Sequence, residues 1–311
     1  MSQTAREACP QAAPGFEAGA AFVDGERVPI ADAKISIVDT GFSRSDVTYD
    51  VVSVWNGAFF RLADHLERFE RSCRELRMTL PYSSEEMAEI LTDLVRLAGL
   101  REAYVETICT RGIAGPVRDP RTFQNRFFAY AIPYVWLLQP QEAETGMDAI
   151  IARTTERIST RSVDPTVKNF HWGDLTKSLY EAYDRGARYP ILLDAEGRVT
   201  EGAGYNVFAL VDGRLVTPVS GTLQGITRKT LMELASQQGL EVLAKEVSEE
   251  EFRSGTELFA TTTAGGVMPI TSLDGEPIGD GKVGPVTRRL RDAYWAAHDD
   301  PRYITPVDYF A

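Results

Sequence analysis

The sequence has little of the chemistry on which several common enzyme classes depend. Its three histidines, His65, His171 and His298, lie far apart and form no HExxH pair. A zinc hydrolase needs such a pair near a third ligand, so no metal centre is expected. The GxSxG and Walker A patterns are also absent, which argues against an α/β-hydrolase and a P-loop NTPase.

Cysteines and long apolar runs are scarce as well. The three cysteines, Cys9, Cys73 and Cys109, have no CxxC spacing. This pattern indicates neither a disulfide framework nor a zinc cluster, and it favours a reducing compartment. No apolar run approaches the roughly 20 residues that span a bilayer, and the first residues lack the apolar stretch of a secretory signal. We therefore expect a cytoplasmic protein.

The charge of the chain is strongly negative. Its 311 residues include 45 Asp or Glu and 33 Lys or Arg, which gives a net charge of -12. Such a surface repels nucleic-acid phosphates and anionic lipid headgroups, so we expect small-molecule partners rather than nucleic acid or a membrane. A content of 43% hydrophobic and 25% charged residues is typical of a globular protein. The length suffices for two domains.

The first half of the chain alternates strand and helix patterns. Asn-Gly at 56–57 lies between two short apolar runs and predicts a hairpin, because this dipeptide suits a type I′ turn. Apolar residues at four-three spacing over 62–80 predict a helix with one buried face. Ser83 and Glu86 form a capping box that begins a second helix. Residues 34–39 (KISIVD) are predicted to form a further strand.

The second half contains short strands joined by turns, a β-meander pattern, with helices between and after them. The stretch 136–148 loses periodicity and gathers Gln, Glu and Pro, which is typical of a linker. The predicted fold class is mixed α+β in two lobes. The predicted division is a flexible arm over 1–17, a small α/β domain over 18–135, an interdomain linker over 136–148 and a large domain over 149–311.

One candidate binding segment is LQGITR (223–228), which leads directly into an amphipathic helix. Gly225 allows close approach of the backbone, and Thr227 is expected to cap the helix. The amides of Ile226 and Thr227 would then form an anion pocket at the positive end of the helix dipole. The alternative is an ordinary glycine turn with a threonine cap, because most capped helices bind no anion.

Two further segments combine glycine with polar residues at strand ends. Residues 261–266 (TTTAGG) offer hydroxyl donors and space for a ligand, although a polar turn after a strand explains them equally well. Glu201 in EGAGYN (201–206) could lie beneath a flat heteroaromatic ring. A surface turn is the commoner use of such a sequence.

The fourth feature is Lys168, in the segment VKNFHW. Burial of a lysine among branched and aromatic residues favours the neutral amine, which is a nucleophile. The alternative is a lysine whose apolar stem packs on the protein while its ammonium group reaches water.

In their order along the chain, these segments resemble the fold-type IV pyridoxal-phosphate enzymes. That family includes branched-chain aminotransferases, D-amino-acid aminotransferases, (R)-selective amine transaminases and aminodeoxychorismate lyases. The resemblance extends over nearly the whole chain, from FVDGERVPI to GPVTRRLRDAYW. The motifs that carry it are His65-x-x-Arg68, Lys168, EGAGYN, LQGITR and TTAGG. It implies a smaller N-terminal α/β lobe and a larger cofactor-binding C-terminal lobe with a barrel-like sheet.

The resemblance also implies a bound pyridoxal 5′-phosphate and a ping-pong transaminase reaction through a lysine Schiff base. Lys168 would be the catalytic lysine, and Glu201 would pair with the pyridine nitrogen. The other implied cofactor-binding residues are Arg68, Ile226, Thr227, Thr262 and Thr263. Among them the guanidinium, the two backbone amides and the Thr263 hydroxyl would bind the phosphate.

Within the family, TYDVVSVW (48–55), YVE (104–106) and CTRG (109–112) look like the corresponding segments of (R)-selective amine transaminases. Branched-chain aminotransferases tend to have arginine where Glu106 stands, and a glutamate there would oppose a substrate carboxylate. We therefore expect transfer from (R)-amines to a keto acid such as pyruvate. The implied substrate pocket contains Arg44, Tyr49, Val51, Glu106, Arg118, Trp172 and Ala264.

One departure from the pattern leaves an alternative open. Arg44 in GFSRSD stands where fungal amine transaminases have histidine, and an arginine can bind an α-carboxylate with two hydrogen bonds. That would favour a D-amino-acid aminotransferase. Arg118 or Arg121 could bind the carboxylate instead, from the loop 112–125, with Arg44 as a surface or interface residue. A branched-chain aminotransferase, an aminodeoxychorismate lyase and a non-catalytic cofactor-binding relative are less expected. The resemblance also implies a homodimer with its sites near the interface.

Overall fold

The structure is a computed structural model that describes residues 11–310. The chain divides into two compact units, Met1–Val135 with Pro301–Ala311, and Trp136–Asp300. The first ten residues of the predicted arm, with Cys9, lie outside the described residues. The rest of the arm is attached to the first unit, because the Ala13 amide donates to the Leu97 carbonyl at 2.8 Å and Phe16 packs on the core.

The described chain forms strands and helices whose bounds are as follows. The strands are β1 Ala20–Val23, β2 Glu26–Pro29, β3 Val47–Trp55, β4 Ala58–Phe60, β5 Ala103–Thr110, β6 Arg126–Pro133, β7 Met147–Ile151, β8 Tyr189–Leu193, β9 Val199–Gly202, β10 Tyr205–Val211, β11 Arg214–Pro218, β12 Val242–Lys245, β13 Glu257–Thr262, β14 Gly266–Leu273, β15 Glu276–Pro277 and β16 Ile304–Pro306. The helices are α1 Thr40–Arg44, α2 Leu62–Glu75, α3 Ser84–Leu97, α4 Gly173–Asp184, α5 Ile226–Gln237, α6 Glu249–Arg253 and α7 Pro285–Ala296.

The first unit is built on a seven-stranded antiparallel sheet in the order β16-β4-β3-β5-β6-β1-β2. Helices α2 and α3 cover one face, where Phe69 and Leu91 belong to the same core as Val52 and Val105 of the sheet. Asn-Gly at 56–57 forms the β3–β4 turn with both residues at positive φ, as a type I′ turn requires. The capping box of α3 is also present.

The prediction of a strand at 34–39 is wrong. Ile35, Ile37 and Val38 are exposed, and only Asp39 of this segment makes a bridge, an isolated one to Ile113. Asp39 also accepts a hydrogen bond from Gly41 and begins α1. Apolar alternation predicts a strand only where a neighbouring strand pairs with it, and the first unit provides none along this segment.

The second unit contains a nine-stranded sheet. Six of its strands close into a ring, β9-β10-β13-β14-β7-β8, because β9 pairs with both β8 and β10. Strands β11 and β12 extend the sheet beyond β10, and β15 pairs with β14. Helices α5 and α7 contact β13 of this sheet. The predicted mixed α+β fold with a barrel-like sheet is confirmed.

The C-terminal boundary of the predicted large domain differs from the structure. That domain was expected to run to residue 311, whereas 301–311 belong to the first unit. The physical reason is strand pairing, since β16 adds to the sheet beside β4. The Tyr309 hydroxyl also donates to the Leu100 carbonyl at 2.5 Å. The predicted linker 136–148 lies in the second unit and includes the start of β7.

Two searches over residues 11–310 bear on what the fold can bind. None of the helices there is both long enough and apolar enough to cross a membrane. Across the same part of the chain, no three His, Cys, Asp or Glu side chains come together as metal ligands.

Candidate active site

In the second unit, the segments EGAGYN and LQGITR meet through buried hydrogen bonds. Glu201 Oε2 accepts from the Thr222 hydroxyl at 3.1 Å and from the Leu223 amide at 2.9 Å. Asn206 Nδ2 donates to Thr222 Oγ1 at 2.7 Å and to the Leu223 carbonyl at 2.8 Å. Because β9 and β10 pair, Glu201 lies directly opposite Asn206. Two motifs about twenty residues apart in the sequence therefore form one polar cluster.

Glycines make this close approach possible. A Cβ on Gly225 would lie 2.2 Å from Asn206 Oδ1, and a Cβ on Gly202 would lie 2.0 Å from the Tyr205 ring. Both distances are far below van der Waals contact, so a larger residue at 225 would force the two segments apart and one at 202 would displace the Tyr205 ring. Gly204 has a φ of +90°, a conformation that favours glycine.

The cluster also contains an arginine that none of the sequence motifs indicated. Arg157 is buried; its Nε donates to Glu201 Oε1 at 3.0 Å and its Nη1 to Asp174 Oδ2 at 2.6 Å. Burial alone would lower the pKa of Arg157, but the Glu201 and Asp174 carboxylates outweigh it and raise that pKa. Glu201 is thus held by a guanidinium on one oxygen and by neutral donors on the other.

The residues that follow Lys168 are joined to the same cluster, and the Lys168 side chain itself is half-buried. Four residues later, Trp172 packs against a small core that includes Leu175 and Ala203. The Arg157–Asp174 ion pair joins Glu201 to the first turn of α4, the helix that follows the lysine segment. The predicted substrate residue Trp172 therefore contacts the EGAGYN turn.

Helix α5 begins differently from the prediction. Its N-cap is Gly225, which makes no side-chain cap bond, and Thr227 lies inside the first turn. The expectation that Thr227 caps the helix is therefore wrong. A glycine has no side chain to accept from the first-turn amides. The amides of Ile226 and Thr227 thus belong to a helix start that a bound anion can complete.

The TTTAGG segment joins β13 to β14. The Ala264 amide donates to Thr262 Oγ1 at 3.3 Å, and the Ala264 carbonyl accepts from the Leu137 amide at 2.8 Å. Thr263 lies in the turn between the two strands. Thr261 Oγ1 is buried and has no hydrogen-bond partner within residues 11–310. Thr261 pairs directly with Asn206, so its side chain shares a sheet face with the residue that contacts Gly225.

In the first unit, Arg68 lies in a buried group with Asp50 and His65. Arg68 donates from Nε to Asp50 Oδ2 at 2.7 Å and from Nη2 to Asp50 Oδ1 at 2.8 Å. His65 Nδ1 lies 2.8 Å from Asp50 Oδ1. Burial would raise the pKa of Asp50, but the Arg68 charge and the two hydrogen-bond partners hold it well below its usual range. Burial also lowers the pKa of His65.

The predicted substrate residues Tyr49, Val51 and Glu106 lie on one face of the sheet. Val51 pairs directly with Glu106, and Tyr49 is two residues from Val51 on the same strand. Glu106 is buried and its Oε2 accepts from the hydroxyls of Tyr130 at 2.7 Å and Tyr104 at 3.2 Å. Burial, followed by the charge of Glu106, raises the pKa of both tyrosines. The carboxylate is thus stabilised by two neutral hydroxyl donors.

The three candidate carboxylate-binding arginines lie in exposed segments. Arg44 is the exposed last residue of α1, and Arg118 is exposed in the loop between β5 and β6. Arg121 makes a bidentate ion pair with Asp119 in the same loop, with Nη2 at 2.6 Å from Oδ2.

Comparison with known proteins places the chain in a family. The family model of amino-transferase class IV matches residues 48–273. A putative branched-chain-amino-acid aminotransferase of Methanocaldococcus jannaschii is 30% identical over 276 residues, 88% of this chain and 94% of that protein. A D-alanine aminotransferase of Staphylococcus haemolyticus is 30% identical over 282 residues, 88% of this chain and 95% of that protein.

A solved structure agrees with these relatives. The branched-chain amino acid aminotransferase of Thermobaculum terrenum, in its pyridoxal-phosphate form, superposes with a TM-score of 0.84 at 27% identity. The match covers 94% of this chain and 99% of that one. The predicted fold type, enzyme class and cofactor are thereby confirmed. The chain belongs to the class IV aminotransferases and is a pyridoxal-phosphate-dependent aminotransferase of fold type IV.

Proposed function

We propose that this aminotransferase takes its amino group from (R)-amines and gives it to a keto acid such as pyruvate. The observation that carries the proposal is the buried carboxylate of Glu106, on the same sheet face as Tyr49 and Val51. The resemblance to the (R)-selective amine transaminases implies that these residues line the substrate pocket.

The electrostatics of Glu106 support an amine without a carboxylate. The hydroxyls of Tyr104 and Tyr130 both donate to Glu106, and such bonds stabilise the ionised form. A substrate carboxylate next to this fixed negative charge is repelled in a setting of low dielectric constant. The aromatic rings around Glu106 suit an aryl or alkyl group instead.

The residues of the second unit fit the cofactor. The first turn of α5 has no side-chain cap and offers the amides of Ile226 and Thr227 to a phosphate. The Thr261 hydroxyl, which has no hydrogen-bond partner among residues 11–310, lies beside Asn206 in the adjoining strand. Thr262, the last residue of β13, and Thr263, which follows it, add hydroxyls. Glu201, held in place by Arg157, would pair with the pyridine nitrogen.

In the reaction, the cofactor supplies an electron sink next to the substrate carbon. The Glu201 carboxylate, fixed by its ion pair with Arg157, would accept a hydrogen bond from the protonated ring nitrogen and so keep the proton there. Lys168 would hold the cofactor through Nζ, and its free amine would carry a proton to and from the substrate carbon.

A D-amino-acid aminotransferase is the second candidate. Its support is the position of Arg44 and Arg118, two exposed guanidinium groups that could bind an α-carboxylate. One of the relatives named above is a D-alanine aminotransferase. In this alternative the arginines overcome the repulsion from Glu106.

We also propose that the protein acts as a cytoplasmic homodimer. Support for the dimer comes from a group of exposed apolar side chains around α1 and the loop after β5. These residues are Ile37, Val38, Phe42, Ile113 and Val117. The cytoplasmic location is supported by the three cysteines without CxxC spacing, a pattern that favours a reducing compartment.

A half-reaction panel tests the substrate proposal. The holoprotein is mixed separately with (R)- and (S)-1-phenylethylamine, D-alanine and L-leucine, without acceptor, and the cofactor absorbance is followed. We expect rapid bleaching with the (R)-amine and recovery of colour after pyruvate is added. Bleaching by D-alanine but not by the aryl amine would support the second candidate. Bleaching by L-leucine alone would contradict both.

A further inference from the structure

The described residues include three buried arginines, and one of them has no acidic partner. Arg68, Arg157 and Arg228 are 4%, 9% and 5% exposed. Arg68 pairs with Asp50, and Arg157 pairs with Glu201 and Asp174. Within residues 11–310, Arg228 makes no ion pair.

The hydrogen bonds of Arg228 go only to neutral acceptors. Its Nε donates to Thr217 Oγ1 at 3.1 Å, its Nη1 to Gln224 Oε1 at 2.8 Å and its Nη2 to the Pro218 carbonyl at 3.0 Å. These acceptors satisfy the N–H groups but leave the charge without a counter-ion. A buried charge without a counter-ion destabilises the folded protein.

The position of Arg228 in the helix adds to the cost. It lies in the first turn of α5, where the N–H groups of the backbone already give the helix a positive end. A cation is unfavourable there, whereas an anion is favourable. Burial lowers the pKa of Arg228, yet a guanidinium stays protonated in proteins. The first turn of α5 therefore concentrates positive charge with nothing in the described chain to neutralise it.

A purely structural role does not account for the charge. The three bonds of Arg228 hold the end of β11 and the turn before α5 to the helix, and a neutral side chain with N–H groups could make some of them. Local rules that are broken without compensation are expected at functional sites. A dianion bound to the amides of Ile226 and Thr227 would supply the missing compensation.

We propose that Arg228 supplies positive charge that holds the cofactor's phosphate at the first turn of α5. Arg228 acts as a positioning residue, because its hydrogen bonds keep Gln224 and the start of the helix in place. Its positive charge adds to that of the first-turn amides and attracts the phosphate. This proposal rests on the phosphate site assigned to α5 under the proposed function.

The experiment compares cofactor binding with and without the phosphate. The full chain is freed of cofactor, and dissociation constants are measured for pyridoxal 5′-phosphate and for pyridoxal, which lacks the phosphate. The variants are Arg228→Gln and Arg228→Lys. The control is Arg214→Gln, which removes an exposed arginine that pairs with Glu241 at the other end of β11.

We expect Arg228→Gln to lower the preference for the phosphorylated cofactor by about tenfold or more, the effect of about 1.4 kcal/mol. Arg228→Lys keeps the charge and should retain most of the preference, and Arg214→Gln should not change it. A structural role alone would weaken both ligands equally. An unchanged preference in Arg228→Gln would therefore overturn the proposal.

A second variant keeps the test decisive if Arg228→Gln does not fold. Gln224→Glu places a carboxylate beside Nη1 with almost no change of shape, so it should raise the melting temperature of the cofactor-free protein while lowering the phosphate preference. Failure to stabilise the cofactor-free protein would contradict the idea of an uncompensated charge. If the unaltered protein itself shows no phosphate preference, the site assigned to α5 is wrong.

Discussion

Arg157 donates its Nε–H to Glu201 Oε1 at 3.0 Å, and both side chains are buried in the second unit. The same guanidinium binds Asp174 in the first turn of α4. One arginine thus connects the residue proposed for the pyridine nitrogen with the helix that follows Lys168. Replacement of Arg157 should therefore lower both the stability of the protein and the rate of the cofactor-dependent reaction.

Replacement of Arg157 by glutamine should be strongly destabilising. It leaves the carboxylates of Glu201 and Asp174 buried without their counter-ion, a loss of about 3 kcal/mol or more in the free energy of unfolding. The turnover number should fall as well, because Glu201 is no longer fixed opposite the ring nitrogen. Arg153→Gln is the matched control. Arg153 is half-exposed and pairs with Glu249, so its loss should cost less than about 1 kcal/mol. Equal urea midpoints for the two variants would contradict this account.

Substitution of Glu106 by glutamine should change which donor is preferred. The variant keeps the shape of the side chain but removes the buried negative charge that opposes a substrate carboxylate. We expect kcat/KM for D-alanine to rise by about tenfold relative to (R)-1-phenylethylamine. Glu102→Gln, an exposed change just before β5, serves as the control. A ratio that stays the same in the Glu106 variant would remove this residue from the choice of substrate.

A methyl group at Gly225 should damage the phosphate site. The new Cβ would lie 2.2 Å from Asn206 Oδ1, so either the Asn206 bridge or the start of α5 must move. We expect Gly225→Ala to weaken pyridoxal-phosphate binding by about tenfold or more and to lower the melting temperature. Gly115→Ala meets no atom within 4 Å and should leave both unchanged. Normal binding in the Gly225 variant would show that the approach of Asn206 to this turn is unimportant.

His298 predicts a specific pH dependence of stability. It is buried beside Trp295, its Nδ1 lies 3.0 Å from the Tyr294 carbonyl, and burial lowers its pKa to about 4. Because the unfolded chain binds a proton at about pH 6.5, the contribution of His298 is complete above that pH and is lost as the pH falls toward 4. The loss is on the order of 3 kcal/mol over that range. Urea midpoints at several pH values should therefore decline less steeply in His298→Gln than in the unaltered protein. Parallel curves would contradict the prediction.

Local patterns were enough to predict much of the fold. The hairpin turn at 56–57 and the capping box of Ser83 and Glu86 depend on residues close in sequence, and both are present. The strand expected at 34–39 failed because strand formation needs a distant partner. The cap expected from Thr227 failed because Gly225 itself occupies the N-cap. The sequence indicates that a helix begins near Thr227, but it does not determine which residue is the N-cap.

The partners of the site residues were beyond prediction for a similar reason. Arg157 is 44 residues from Glu201, and Asp50 is 18 residues from Arg68, so no local spacing connects them. Arg157 also lies in an irregular segment without periodicity. The only sequence signal for these partners was the charge of Glu201 and of Arg68, because a buried charge requires a partner of opposite sign. That argument predicts a partner without identifying it.

The most direct test of the account is a chemical one, at Lys168. The holoprotein is treated with borohydride, which fixes a lysine-bound cofactor, and is then digested for mass spectrometry. We expect the peptide containing Lys168 to gain the mass of one reduced cofactor. We expect Lys168→Ala to form no covalent product but still to bind pyridoxal 5′-phosphate more tightly than pyridoxal. An unmodified Lys168 peptide beside a labelled lysine elsewhere would contradict it.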